Sequence, residues 1–242
     1  MVHMADASRI LRRVSLDIKV AVFFLTLVLI LKANTLGLPY YEDGLSLYVP
    51  AAQWISENSM NPFPPDNLGA GHPPLFLFIL AISFSVLGRG LFVGHMVIML
   101  FCFVAVFFTY LCGKEMHDAR TGFIAASLLL FSPLFFAQSG MVNVSVPLAA
   151  MTMVTFYLML KRRLGAYILS ASALILFHEL GVYAVFIMGI YMATKREWLY
   201  LSPCSVYVVW MTINAHVYGY LLNPIPVSYT HLRAHETSLH LV

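Results

Sequence analysis

The sequence predicts an all-α, polytopic membrane protein of about seven spans, with a long first outer loop that carries juxtamembrane helices. Of 242 residues, 60% are apolar and only 10% charged, whereas charged residues make up about a quarter of a soluble domain. The apolar residues fall in continuous, helix-length runs rather than the roughly ten-residue alternation of a barrel. The positive charges sit in clusters beside those runs, so the net charge of +3 speaks to membrane topology and not to a nucleic-acid partner.

Taken in order, Arg9, Arg12 and Arg13 precede a first span over Leu16–Leu38. No small-residue cleavage site follows before Pro39, so the helix reads as a retained signal anchor with a cytoplasmic N-terminus. Residues 39–74 are rich in Pro, Asn and Gly and form an outer loop, with an amphipathic piece over Leu45–Trp54 lying along the interface. Leu75–Leu87 is apolar but about thirteen residues long, short of the roughly twenty that a crossing needs. The remaining runs are Leu91–Leu111, Thr121–Ala137, Pro147–Leu160, Leu164–Phe177, Leu180–Ala193 and Trp198–Ala215.

Charge decides how these runs are threaded. They are separated by Lys114 and Arg120, by Lys161, Arg162 and Arg163, and by Lys195 and Arg196. All three clusters fall on the cytoplasmic side only if Leu75–Leu87 does not cross and Leu164–Ala193 forms a hairpin of two short helices. Its tip, His178-Glu179-Leu180-Gly181, then emerges on the same outer face as the first loop. Glu42, Asp43, His72, Asn143, Ser145, His178 and Glu179 thus converge on one side as a single composite site.

Other features are quieter. Cys102, Cys112 and Cys204 lie in or beside apolar runs without a CxxC spacing, and read as small buried hydrophobes. No His, Cys, Asp and Glu spacing sets out a metal site. Residues 1–226 form the membrane domain; Val227–Val242 is polar and carries His231, His235 and His240 at a spacing that matches no zinc site. It reads as a non-native tail resembling translated adapter sequence.

Two motifs carry a resemblance. Tyr40-Tyr41-Glu42-Asp43-Gly44 opens the first outer loop, and Gly71-His72-Pro73-Pro74-Leu75 closes it. With Gly122-Phe123-Ile124-Ala125-Ala126 running to Ser132-Pro133, they resemble the protein O-mannosyltransferase and lipid A aminoarabinose transferase group of the GT-C superfamily. The similarity covers about residues 16–194 and implies an N-terminal fragment of a truncated GT-C fold. It also implies a membrane glycosyltransferase that moves a sugar from a polyprenyl-phosphate donor to a protein, lipid or glycan acceptor hydroxyl. The catalytic base would be an acidic residue of the first outer loop. Aligning on residue type selects Asp43, and aligning on Gly44 selects Glu42. The group's second acidic residue, before a Pro-Leu, is replaced here by Ser145. His72 and His178 stand where many relatives carry lysine, and would donate to the lipid phosphate.

The chemistry suits those residue types. An anionic leaving group needs hydrogen-bond donors, and the acceptor hydroxyl needs a carboxylate to take its proton. Glu179, Asn143 and Ser145 complete the expected substrate-binding set. No cofactor is required, although a divalent cation is compatible with the phosphate chemistry. A transporter or flippase of lipid-linked substrates would place ionisable residues at midplane depth, and here the span centres are almost free of charge. An inactive membrane subunit is the other alternative, favoured by Ser145.

Overall fold

The computed structural model describes residues 2–65, 68 and 72–219, with side chains from Ser15 onward. Gly71 and the Val227–Val242 tail lie outside the described residues. Every regular element among those described is helical.

The first helix, α1 (Val2–Lys32), starts well before the expected span and stops six residues short of Leu38. A 3-10 turn, Ala33–Thr35, ends it, and the Thr35 hydroxyl donates to the Lys32 carbonyl at 2.8 Å. Asn34 and Gly37, poor helix formers, explain the stop. The interfacial piece forms a π-helical turn, Gly44–Tyr48, that leads into α2 (Val49–Glu57). Behind Pro73-Pro74, α3 (Leu75–Leu87) buries Phe76, Leu77, Leu80, Ala81 and Phe84, packing against α2.

The remaining α-helices are α4 (Leu91–Met116), α5 (Ala119–Phe131), α6 (Pro133–Gln138), α7 (Ser145–Leu160), α8 (Leu164–Phe177), α9 (Gly181–Ala193) and α10 (Cys204–Tyr218). The Asp118 carboxylate caps α5, accepting the Thr121 N–H at 2.7 Å and so filling one of the unpaired amides of a helix start. Two expected runs are broken. Thr121–Ala137 divides at Ser132, which is extended (ψ 132°) ahead of Pro133, because proline disfavours helical backbone in the residue before it. Trp198–Ala215 divides into a 3-10 turn, Trp198–Leu201, and α10 behind Pro203.

Length separates these helices. With 26 residues, α4 is the one described helix long and apolar enough to cross a membrane, while α3, α5, α7, α8 and α9 are apolar but run to 13–16 residues. At 1.5 Å per residue, sixteen residues span about 24 Å, short of a hydrocarbon core of about 30 Å. The seven expected crossings are therefore not fixed by helix length. The exterior is nonetheless apolar: Leu134 and Leu169 are 74% and 75% exposed, and Leu128 and Ile187 nearly as much. Scattered exposed apolar side chains are ordinary, but this many large ones suit an apolar solvent.

Ion pairs gather the basic clusters at one end. Lys114 Nζ lies 2.6 Å from Asp17 Oδ2, Lys161 pairs with Glu115 at 3.1 Å, and Arg162 pairs with Glu197 at 2.8 Å. At the opposite end, Tyr40 donates to the Gly90 carbonyl at 3.1 Å and His95 meets the Leu38 carbonyl at 3.0 Å. Between the ends, one core joins α1 through α7 and a second joins α8 and α9 around Tyr167, Leu174, Ile175 and Val185. Phe177 at the end of α8 belongs to the first core, 6.3 Å from the Phe76 ring and 5.5 Å from the Phe101 ring. That contact sets the tip of the α8–α9 hairpin beside the start of α3.

Candidate active site

The loop end is assembled from three segments. In the first, Glu42 adopts a left-handed backbone (φ 48°), and its carbonyl accepts the Leu45 and Ser46 amides, each at 3.0 Å. Glu42 and Asp43 are both exposed, and Asp43 precedes the Gly44–Tyr48 turn without spending its carboxylate on capping. Gly44 is required where it stands. A Cβ there would lie 2.7 Å from the Val142 carbonyl oxygen, so only glycine lets this turn press against the connection between α6 and α7.

That connection is the second segment. The Asn143 amide donates to Gln138 Oε1 at 2.6 Å, and its oxygen accepts the Ser145 N–H at 3.0 Å, an Asx turn that starts α7. Asn143 thus makes its contacts within its own loop. Ser145, exposed, stands at the mouth of a groove of about 460 Å³ that is also lined by Ala105, Thr109, Leu129, Leu148 and Thr152.

The third segment joins two distant tips. His72, set by Pro73-Pro74 ahead of α3, has Nδ1 3.2 Å from the Glu179 carboxylate. The His72 and His178 rings stack with centroids 5.7 Å apart, and His178 Nδ1 accepts the Leu180 N–H at 3.2 Å. Gly181 permits the tight reversal, since a Cβ there would lie 2.8 Å from the Leu174 carbonyl carbon. Burial works against the charged Glu179 carboxylate, yet the His72 hydrogen bond and the neighbouring histidines outweigh it and hold its pKa below the ordinary range. Burial pushes the His178 pKa down, and Glu179 only partly opposes this. A neutral His178 whose Nδ1 is an acceptor carries its proton on Nε2.

Tyr48 links the segments, and sequence reasoning passed it over. Burial raises the pKa of its hydroxyl, the negative charges of Asp43 and Glu179 raise it further, and a hydrogen bond with the Val144 backbone partly offsets them. Tyr48, His72, Pro73, Phe76 and His178 also line one cavity of about 10 Å³, room for at most one water.

The fold therefore brings His72, His178 and Glu179 into contact and sets Tyr48 beside the two histidines on one cavity. Asn143 and Ser145 lie on the adjoining loop. His72, His178 and Glu179 each offer a ligand atom within 4.8 Å of the other two, a capacity to hold a cation that their spacing in sequence does not show. Compared with known families, residues 71–222, more than half of the chain, match that of the dolichyl-phosphate-mannose-protein mannosyltransferases. The chain belongs to that family. Neither a curated protein nor a solved structure gives a significant match. As a mannosyltransferase-family member of GT-C type, it is a membrane glycosyltransferase in its general class. The family match takes in His72, Asn143, Ser145, His178 and Glu179 and begins after Glu42 and Asp43.

Proposed function

We propose that the protein transfers a sugar from a polyprenyl-phosphate donor to an acceptor hydroxyl at the outer face of the membrane. Asp43 is the base in this reading. The acceptor oxygen attacks the anomeric carbon, the bond from that carbon to the phosphate oxygen breaks, and the hydroxyl proton passes to the Asp43 carboxylate. His178 donates from Nε2 to the leaving phosphate, while Glu179 holds the His72 ring beside it. Serving as the pair's outward donors, these histidines stabilise charge that grows as the phosphate departs.

The observation that supports this best is the His72, His178 and Glu179 cluster inside the family match, which shares a small cavity with Tyr48 at the end of the turn that follows Asp43. The proposal also includes a multi-pass topology with the N-terminus and the basic clusters cytoplasmic. One shared end for Lys114, Lys161 and Arg162 supports it, short apolar helices notwithstanding, since a membrane can thin locally around them.

Transfer of radiolabelled sugar from a lipid-linked donor tests the reading. Asp43→Asn keeps size and hydrogen bonding but removes the proton acceptor, so the rate should fall by roughly 10²- to 10⁴-fold. Glu42→Gln should cost much less. Near-normal transfer by both variants, folded in the membrane, would remove the first loop from the chemistry.

A further inference from the structure

We infer that His72, His178 and Glu179 form a binding site for one first-row divalent cation of the zinc class, supplying three of its ligands. Zinc ligands sit about 2.0–2.1 Å from the metal in a tetrahedron, and that geometry puts neighbouring ligand atoms about 3.3–3.4 Å apart. His72 Nδ1 and His178 Nδ1 lie 3.2 and 3.5 Å from the same Glu179 oxygen, Oε2. Both separations match the edge of such a tetrahedron.

Proton placement points the same way. His178 Nδ1 accepts the Leu180 N–H, so it carries a lone pair, and that lone pair lies 3.5 Å from a carboxylate oxygen. In the cation-free arrangement that lone pair is met by the Leu180 N–H; a cation would take it in place of that contact, and would replace the His72 Nδ1 proton that now reaches Glu179. Two imidazoles and one carboxylate suit zinc and its first-row neighbours better than magnesium or calcium, which favour all-oxygen shells. Three protein ligands with a fourth position open is the pattern of zinc sites that act on a substrate.

The ligands are also held and reachable. Pro73-Pro74 and the start of α3 fix His72, and the α8–α9 turn fixes the other two. Their side chains are 31%, 18% and 32% exposed, so solvent and a small anion can enter. As its fourth ligand the cation would take an anionic oxygen such as that of a phosphate. This role rests on the donor reading above, whereas cation binding itself does not.

The test uses the full chain purified in detergent and stripped with a chelator. Zinc is titrated against a chromophoric competitor, and cobalt is added separately to read coordination from its visible spectrum. One equivalent should bind with release of a proton, and cobalt should give the strong bands of a tetrahedral site. Outer-shell changes cost 10- to 100-fold in metal affinity, so losing a ligand, in Glu179→Gln or His178→Ala, should cost at least roughly 100-fold. Deleting Val227–Val242 should change nothing. Affinity unaltered in both ligand variants, or lost with the tail and its His231, His235 and His240, would overturn the inference. If neither variant folds by circular dichroism, the wild-type spectrum decides, because weak octahedral bands also overturn it. Zinc bound with no sugar transferred sinks only the donor reading.

Discussion

At the basic end of the bundle Lys114 meets Asp17, Lys161 meets Glu115 and Arg162 meets Glu197, while at the loop end Glu179 is held by His72 beside His178 and Asp43 stands exposed. The first set pairs fixed cations with carboxylates, so each charge there already has a permanent partner. The second, beside one fixed pair of Arg89 with Glu57, leaves Asp43 exposed and Glu179 on a partner that can lose a proton, donate to a substrate or share a metal. Charge at a membrane protein's ends is therefore not one kind of feature: its partner decides whether it is structural or available for chemistry.

The largest effect that can break this comparison is topological. With Cys102, Cys112 and Cys204 removed, single cysteines at positions 72 and 114 should label from opposite sides of the membrane, an all-or-none difference. Labelling from one side would place the two ends together and dissolve the composite site. Next comes stability. Asp17 bonds both Lys114 and, at 2.8 Å, the Tyr110 hydroxyl, so Asp17→Asn should cost about 1–3 kcal/mol, as hydrogen bonds to charged groups do. Thermal unfolding in detergent would read it, and Asp43→Asn in the same assay should leave the melting temperature nearly unchanged. Equal losses would show that the two carboxylates do the same work.

pH sharpens the contrast further. The Tyr48 pKa is raised in the folded state, so its contribution is whole below the ordinary tyrosine value of about 10 and is lost as pH rises beyond it. At the basic end, hydrogen bonds to Thr121 lower the Asp118 pKa. The stability of that cap is present above about 4 and is lost as pH falls through the lowered value. The alkaline loss of melting temperature should therefore shrink in Tyr48→Phe and the acid loss in Asp118→Ala. The reverse assignment would contradict both environments. The smallest effect belongs to Arg162→Gln. Its pair with Glu197 is 60% exposed on the arginine side, and exposed pairs contribute under about 1 kcal/mol, so a large drop in melting temperature would mark that contact as more than a surface ion pair.

Much of the fold was legible beforehand. Leu75–Leu87 and Leu164–Phe177 form helices with the bounds read from the sequence, because long apolar runs closed by Pro, Gly or charge leave few alternatives. Less legible were the breaks at Ser132 and Pro203, where apolar runs long enough for one helix contain a proline. Of the site, His72, His178 and Glu179 were singled out and do meet. Tyr48 was not, since an aromatic in an interfacial helix looks like any other anchor.

Composition and the order of apolar runs and charges determined by themselves that this chain is helical, apolar on its exterior and basic at alternate loops. They did so because helix-length hydrophobic runs and clustered arginines and lysines are local properties, readable without knowing what each segment touches. Which side chains share a site was decided only by the tertiary structure. Phe177 packs into the core shared by Phe76 and Phe101, and Gly44 admits the Val142 carbonyl. These contacts bring together residues up to 107 positions apart. Their distances follow from side-chain packing between helices, to which periodicity along one helix is blind.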